Sequence, residues 1–184
     1  MFGEELEYLL EDRDTKSITL KTPTGDQAKY TILENFPFNS ERKRMGIIVR
    51  HDDSGKILFF LKGADSVIAR LVGEKSRSFV KEESDNLAKE GLRTLAMCYK
   101  EIDEKEFEDW RKKYEEAGND LENREKRENE IIELLEDNLT VLGITGVEDL
   151  LQDDIKTVIV NLIAAGIRVW MLTGRLKLNQ RRQT

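Results

Sequence analysis

Two short turn sequences, Pro23-Thr24-Gly25-Asp26 and Asp52-Asp53-Ser54-Gly55, constrain what this chain can fold into more than any other feature. Proline presets one backbone angle of a turn, Asp and Asn bond back to the chain, and glycine supplies the left-handed conformation that closes it. Each turn sits between runs rich in β-branched and aromatic residues. Ser17 to Lys21 and Lys29 to Leu33 flank the first, and Met45 to Arg50 and Ile57 to Leu61 flank the second. Strand, turn, strand, repeated, predicts an antiparallel sheet over the first half. Ahead of it, Glu4 to Glu11 reads as a short helix with Leu6, Leu9 and Leu10 on one side. Gly63-Ala64-Asp65 ends the sheet, with Asp65 as the expected cap of a helix starting at Ser66. A second helix is expected from Arg77 to Lys89, closed by Gly91, and a further strand from Arg93 to Tyr99. The class this order implies is α+β, an antiparallel sheet with flanking helices.

From Asp103 to Glu136 the chain is dense in Glu, Lys and Arg, with Phe107, Trp110, Tyr114, Ile131, Ile132, Leu134 and Leu135 recurring among them. That predicts a long amphipathic helix or a helical hairpin broken near Gly118-Asn119-Asp120. A partner helix docking on 103–136 is the alternative use of the same stripe, although the apolar spacing holds no heptad through the middle. At Leu139 the texture changes. Leu139 to Ile144 reads as a strand, Asp153 to Ala165 as a helix ended by Gly166, and Ile167 to Leu172 as a wholly apolar strand running into Thr173-Gly174. This order is that of a parallel β-α-β unit, so a partial α/β, Rossmann-like segment is expected. The expected divisions are 1–137, 138–174, and a basic tail at 175–184.

Composition removes several classes of function. A net charge of −7 argues against a broad nucleic-acid-binding surface. One cysteine, Cys98, cannot form an internal disulfide, and its apolar neighbours favour a small buried side chain over a nucleophile. One histidine, His51, with that cysteine makes no usual metal site. No apolar run is long enough to cross a bilayer and no secretory leader is visible, so a cytosolic setting is expected.

Four segments carry candidate chemistry. Phe36-Pro37-Phe38-Asn39-Ser40-Glu41-Arg42-Lys43-Arg44-Met45 places an aromatic ring beside three cations. A nucleotide needs a flat apolar face for its base and positive charge a few ångströms away for its phosphates. The plainer alternative is a solvated basic turn with Phe38 in the core. Lys62-Gly63-Ala64-Asp65 ends an apolar strand, and its glycine lets a ligand approach the backbone. An ordinary strand-to-helix turn reads the same way. Arg93, in Glu90-Gly91-Leu92-Arg93-Thr94-Leu95, enters a strand as surface arginines often do. Thr173-Gly174 follows an apolar strand, as phosphate-contacting loops do, and as plain turns do also.

In this order the four segments resemble the nucleotide-binding domain, and the opening of the phosphorylation domain, of the P-type ATPases. Phe-Asn-Ser-x-Arg-Lys-Arg-Met, then Lys-Gly-Ala-Asp, then Gly-Leu-Arg-Thr-Leu, is similar to the type IV group, the phospholipid flippases. Leu20-Lys21-Thr22-Pro23-Thr24-Gly25 and Phe36-Pro37-Phe38 are most similar to its endosomal and Golgi subgroup. The resemblance runs from about Ser17 to Gly174. It implies that the later segment is of HAD type, that Phe38 stacks on adenine, that Lys43 and Lys62 line the nucleotide pocket, and that Arg93 reaches toward the phosphates. It implies that Asp149, in Gly146-Val147-Glu148-Asp149, lies near ribose and phosphates, and that Thr173 and Gly174 open the family's Thr-Gly-Asp-Lys loop. ATP is the implied ligand, with Mg²⁺ arriving on the nucleotide and not on protein ligands of this chain. Phospholipid would be a partner only of a whole pump, an integral membrane protein of endosome or trans-Golgi with this part on the cytosolic side.

Departures from the family pattern set the expected limits. The Asp-Lys-Thr-Gly-Thr phosphorylation motif is absent. Asp153-Asp154-Ile155-Lys156-Thr157 mimics part of it but opens a predicted helix. Thr24-Gly25-Asp26 mimics the hinge loop but lies in a hairpin turn. Arg175 stands where the family has Asp, reversing the charge. The chain is therefore expected to be an ATP-binding piece of a larger phospholipid-translocating pump, without turnover of its own. A stand-alone binding module and a non-functional fragment are the alternatives.

Overall fold

Both turn sequences close hairpins. In the computed structural model, which describes residues 6–148 and 152–170, Gly25 and Gly55 take φ of 90° and 69°. The Thr22 N–H donates to the Asp26 carbonyl at 2.8 Å, and the His51 N–H to that of Lys56 at 2.9 Å. The strands are β1 (Leu9–Arg13), β2 (Ser17–Lys21), β3 (Gln27–Asn39), β4 (Arg44–His51), β5 (Ile57–Gly63), β6 (Arg93–Ile102) and β7 (Thr140–Val147). They form one sheet in the order β1-β2-β3-β4-β5-β6-β7, every neighbouring pair antiparallel. The helix expected over Glu4 to Glu11 is not formed within the described residues. Leu9–Arg13 instead pairs with β2 as an edge strand, because the adjacent hairpin offers a row of unpaired backbone groups.

Helices α1 (Asp65–Leu71), α2 (Glu74–Lys89), α3 (Glu104–Gly118) and α4 (Arg124–Glu133) complete this part. Asp65 does not cap α1. It is the first helical residue, its carboxylate accepts from the Ser66 N–H, and Ala64 occupies the cap position without a side-chain bond. Gly91, at φ 82°, ends α2 as expected. The acidic and basic stretch forms a helical hairpin broken at residues 119–123.

The pleat alternates side chains between two faces. Ile57, Phe59 and Leu61 of β5 are buried with Phe36, Ile48, Ala96, Cys98 and Ile102 of neighbouring strands. One core joins them to Ile68 of α1, Val80 of α2, Phe107 and Trp110 of α3, and Ile132 of α4. Full burial of such a side chain contributes about 1.5–3 kcal/mol. Phe36 meets Phe59, Trp110 and Tyr114 edge-on with ring centroids 5.9–6.2 Å apart. The Trp110 indole N–H donates to the Ile131 carbonyl at 2.9 Å, tying α3 to α4. The apolar stripe that could have met a partner helix is thus mostly inside the domain, with Leu121 and Leu134 left exposed.

The chain divides into compact units at 1–148 and 149–184. The change of texture at Leu139 is therefore not where the described units part. It opens β7, which hydrogen-bonds along β6 and belongs to the first unit's sheet. In the second unit, residues 152–170 contain α5 (Ile155–Ala164), ended by Gly166 at φ 76°. Residues 167–170 carry no strand, and 171–174 lie outside the described residues. Among the described strands no pair runs parallel, so the expected β-α-β unit is not seen there.

Candidate functional site

The β3–β4 connection is where the first candidate segment lands. β3 runs on through Phe36-Pro37-Phe38-Asn39, and its register against β4 shifts between Phe36 and Asn39, where Pro37 can donate no ladder bond. Two aromatic residues share this strand end with opposite fates. Phe36 is 3% exposed and belongs to the core, whereas Phe38 is 63% exposed. The reading of Phe38 as a core ring is overturned, since the buried place is taken by Phe36. Asn39 shapes the turn by accepting the Glu41 N–H at 2.8 Å and the Arg42 N–H at 3.2 Å on its side-chain oxygen. Lys43 follows at φ 53°, in the left-handed region.

The turn is seated on the end of β5. Arg44 lies opposite Gly63, and Met45 opposite Lys62. The Lys43 carbonyl accepts the Ala64 N–H at 3.1 Å. A Cβ at Gly63 would lie 2.7 Å from both that carbonyl oxygen and the Arg44 Cβ, so glycine is what permits the approach. Gly63 in turn lies opposite Ala96 of β6, the strand that Arg93 opens opposite Val147. Phe38, Lys43, Lys62 and Arg93 thus sit on strand ends and a turn at one end of the sheet. Asp149, Thr173 and Gly174 lie outside the described residues.

The sheet face away from the helices is not polar, as a solvated face would be. Ile47, Phe60 and Tyr99 are neighbours across β4, β5 and β6, and Met45, Lys62 and Met97 form the next row. All but the lysine are half-buried. The sheet curls enough that Ile18 of β2 and Leu142 of β7 line one cavity of about 280 Å³ with Met45, Ile47, Phe60, Lys62 and Met97. An apolar wall with few polar groups is the usual make-up of a small-molecule site. Met45, Met97 and Phe60 are not among the site residues expected from the sequence, although all three fall in expected strands. Period-two alternation placed half of each strand's apolar residues on the second face, and that was the available signal.

Two of the three cations beside Phe38 are not available to a ligand. Glu136, just past α4, is buried, and its carboxylate takes Arg42 on one oxygen and Arg44 on the other. The Arg44 Nε–H donates to Glu136 Oε2 at 2.9 Å, and its Nη1 to the Arg42 carbonyl at 3.0 Å. Burial pulls both guanidiniums down. For Arg44 the Glu136 and Glu133 carboxylates more than offset it, while Arg42, also beside Arg44, stays below its ordinary value. Breaking such a buried pair typically costs about 3–5 kcal/mol, because it strands a charge. Cys98 lies under this region, and burial pushes its thiol up to about 12, which makes it a core group.

Residues 15–154, which hold this curled antiparallel sheet and its helices, match the family model described as P-type ATPase, cytoplasmic domain N. The chain belongs to the P-type ATPase family, and most of its length is that cytoplasmic nucleotide-binding domain. It is 42% identical over 93% of its length to a probable phospholipid-transporting ATPase IIB of Danio rerio. It is 43% and 40% identical, over 94% of its length, to the phospholipid-transporting ATPases NEO1 and DRS2 of Saccharomyces cerevisiae. The chain spans 15%, 15% and 13% of the length of these three relatives.

Proposed function

We propose that this chain binds ATP at the end of the sheet where Phe38, Lys43, Lys62 and Arg93 stand, with the base against the apolar face. What carries the reading is the half-buried apolar wall of Met45, Ile47, Phe60 and Met97 on the helix-free face, with Lys62 in the same row. Phe38 supplies a second flat surface, and Lys43 and Arg93 supply charge toward the phosphates. Asp149, Thr173 and Gly174 would meet the ribose and phosphate end. Among the described residues no cluster of three His, Cys, Asp or Glu side chains is placed to hold a metal. Mg²⁺ would come with the nucleotide, as the family resemblance implies. In a whole pump the γ-phosphate would pass to an aspartate supplied elsewhere, and the cycle would move phospholipid between leaflets, at endosome or trans-Golgi membranes as the resemblance of Leu20 to Gly25 and of Phe36-Pro37-Phe38 implies.

ATP titration of the 184-residue chain, followed by NMR shifts or tryptophan fluorescence, tests the binding step. The expected Kd is roughly 0.1 mM to several mM, a free energy near −4 to −5.5 kcal/mol. Phe38→Ala should weaken binding about 5- to 150-fold by loss of a stacking face, with little change in melting temperature because the ring is exposed. A folded sample silent to saturating ATP overturns the proposal. A large stability loss in Phe38→Ala with affinity unchanged would make Phe38 a packing residue.

A further inference from the structure

The turn that carries Phe38 and Lys43 is secured by a carboxylate 92–94 residues further along the chain. Lys43 adopts φ 53°, which side chains rarely take unless neighbouring contacts impose it. The residues on either side of it are both held by Glu136. Arg42 reaches one carboxylate oxygen, and Arg44 presents Nε and Nη2 to the other. Arg44 also bonds the Arg42 carbonyl, so the backbone is pinned as well as the side chains. Glu136 cannot yield easily. Its side chain is 1% exposed, and it stands between Leu135 and Leu139, both core residues. Glu133 touches Arg44 from the surface at 3.4 Å and is 60% exposed, so it cannot take over the pairing.

We infer that Glu136 is a positioning residue for nucleotide binding, holding Arg42 and Arg44 so that Lys43 and Phe38 are presented at the site. Its charge matters as well as its shape. Without it, two guanidiniums would face each other in a buried pocket with no shared anion, and the turn would open to separate them. The helical hairpin is thereby coupled to the ligand end of the sheet, since Glu136 leaves α4 directly. This rests on the ATP-binding reading above.

The test is ATP titration of the full chain carrying Glu136→Gln, at a temperature where its melt shows it folded. Affinity should fall roughly 5- to 20-fold, within the usual range of couplings between sites. Lys43→Ala should cost less in the Glu136→Gln background than in the wild type, because a misplaced lysine has less to lose. Glu136→Asp should recover part of the affinity. Phe107→Leu, a core change outside the Glu136, Arg42 and Arg44 bonds, should lower the melting temperature and leave affinity in the folded fraction unchanged. If Glu136→Gln does not fold, Arg42→Gln, which keeps the Arg44 pair, carries the same titration and the same expectation. A wild type that binds while the folded variant binds equally, or equal Lys43→Ala losses in both backgrounds, overturns the positioning role alone. A wild type silent to ATP overturns the binding reading and this one together.

Discussion

Glu34 stands on β3 with Arg111, Glu115 and Glu128 around it. Burial raises its pKa above the ordinary value, Arg111 opposes this, and the two carboxylates add to it. In the unfolded chain the group sheds its proton at lower pH than in the native state. Above the native pKa the folded protein therefore holds a charge that is easier to hold unfolded, and Glu34 works against stability at neutral pH. As pH falls through the native pKa the burden is relieved. Glu34→Gln should accordingly raise the melting temperature at pH 7, and the gain should vanish below about pH 4, where both states are protonated. Thermal melts from neutral to acid pH check this, and a lower melting temperature at pH 7 would show that Arg111 outweighs burial. Three adjacent cations look alike in the chain, yet Arg42 and Arg44 serve Glu136 while Lys43 is exposed.

Among elements, the β3–β4 turn fits tightly against the end of β5 at the candidate site. Gly63→Ala would push its Cβ against backbone and Cβ atoms of Lys43 and Arg44 at 2.7 Å, which cannot swing aside as a side-chain tip can. Overpacking of this kind costs about 1–3 kcal/mol. The variant should lose that much in urea denaturation and bind ATP more weakly, since the displaced turn carries Phe38 and Lys43. Gly143→Ala in β7 is the contrast. Nothing lies within 4 Å of the added carbon and its φ is not positive, so its stability should stay within about 0.5 kcal/mol of wild type. Equal losses in the two variants would mean that any side chain at a strand glycine is harmful here, irrespective of the turn.

At the scale of the molecule, the first compact unit includes β7. Leu139, Val141 and Ile144 pack on the core cluster, and β7 pairs with β6 from Arg93 to Tyr99. A chain ending at residue 148 should therefore unfold cooperatively, with a melting temperature within a few degrees of the full chain. A chain ending at residue 137 loses a strand, exposes the edge of β6, and should lose most of its cooperative transition. Circular dichroism melts of the two truncations compare them directly. A cooperative melt at 137 equal to that at 148 would place β7 outside the folding unit.

Much of this was legible locally. Gly25, Gly55 and Gly91 announced two hairpins and a helix end because each turn needs a positive φ, a property of the residue itself. Phe107, Trp110 and Ile132 announced an amphipathic helix or helical hairpin because their spacing repeats with the helix; that the hairpin forms and buries this stripe is seen in the fold. Leu9 to Glu11, expected as the end of a helix, is strand because an edge strand takes its conformation from the neighbour it pairs with, not from its own pattern. The same limit left the partner of β7 undetermined: its strand was legible, but its apolar run fits a parallel pairing as well as the antiparallel one it makes with β6. Motif order alone led to the nucleotide-binding domain of a P-type ATPase. Only the tertiary structure could separate Phe36 from Phe38 and Arg42 and Arg44 from Lys43. Which ring is covered, and which cation is neutralised, depends on Trp110, Tyr114 and Glu136, groups that folding brings from far along the chain.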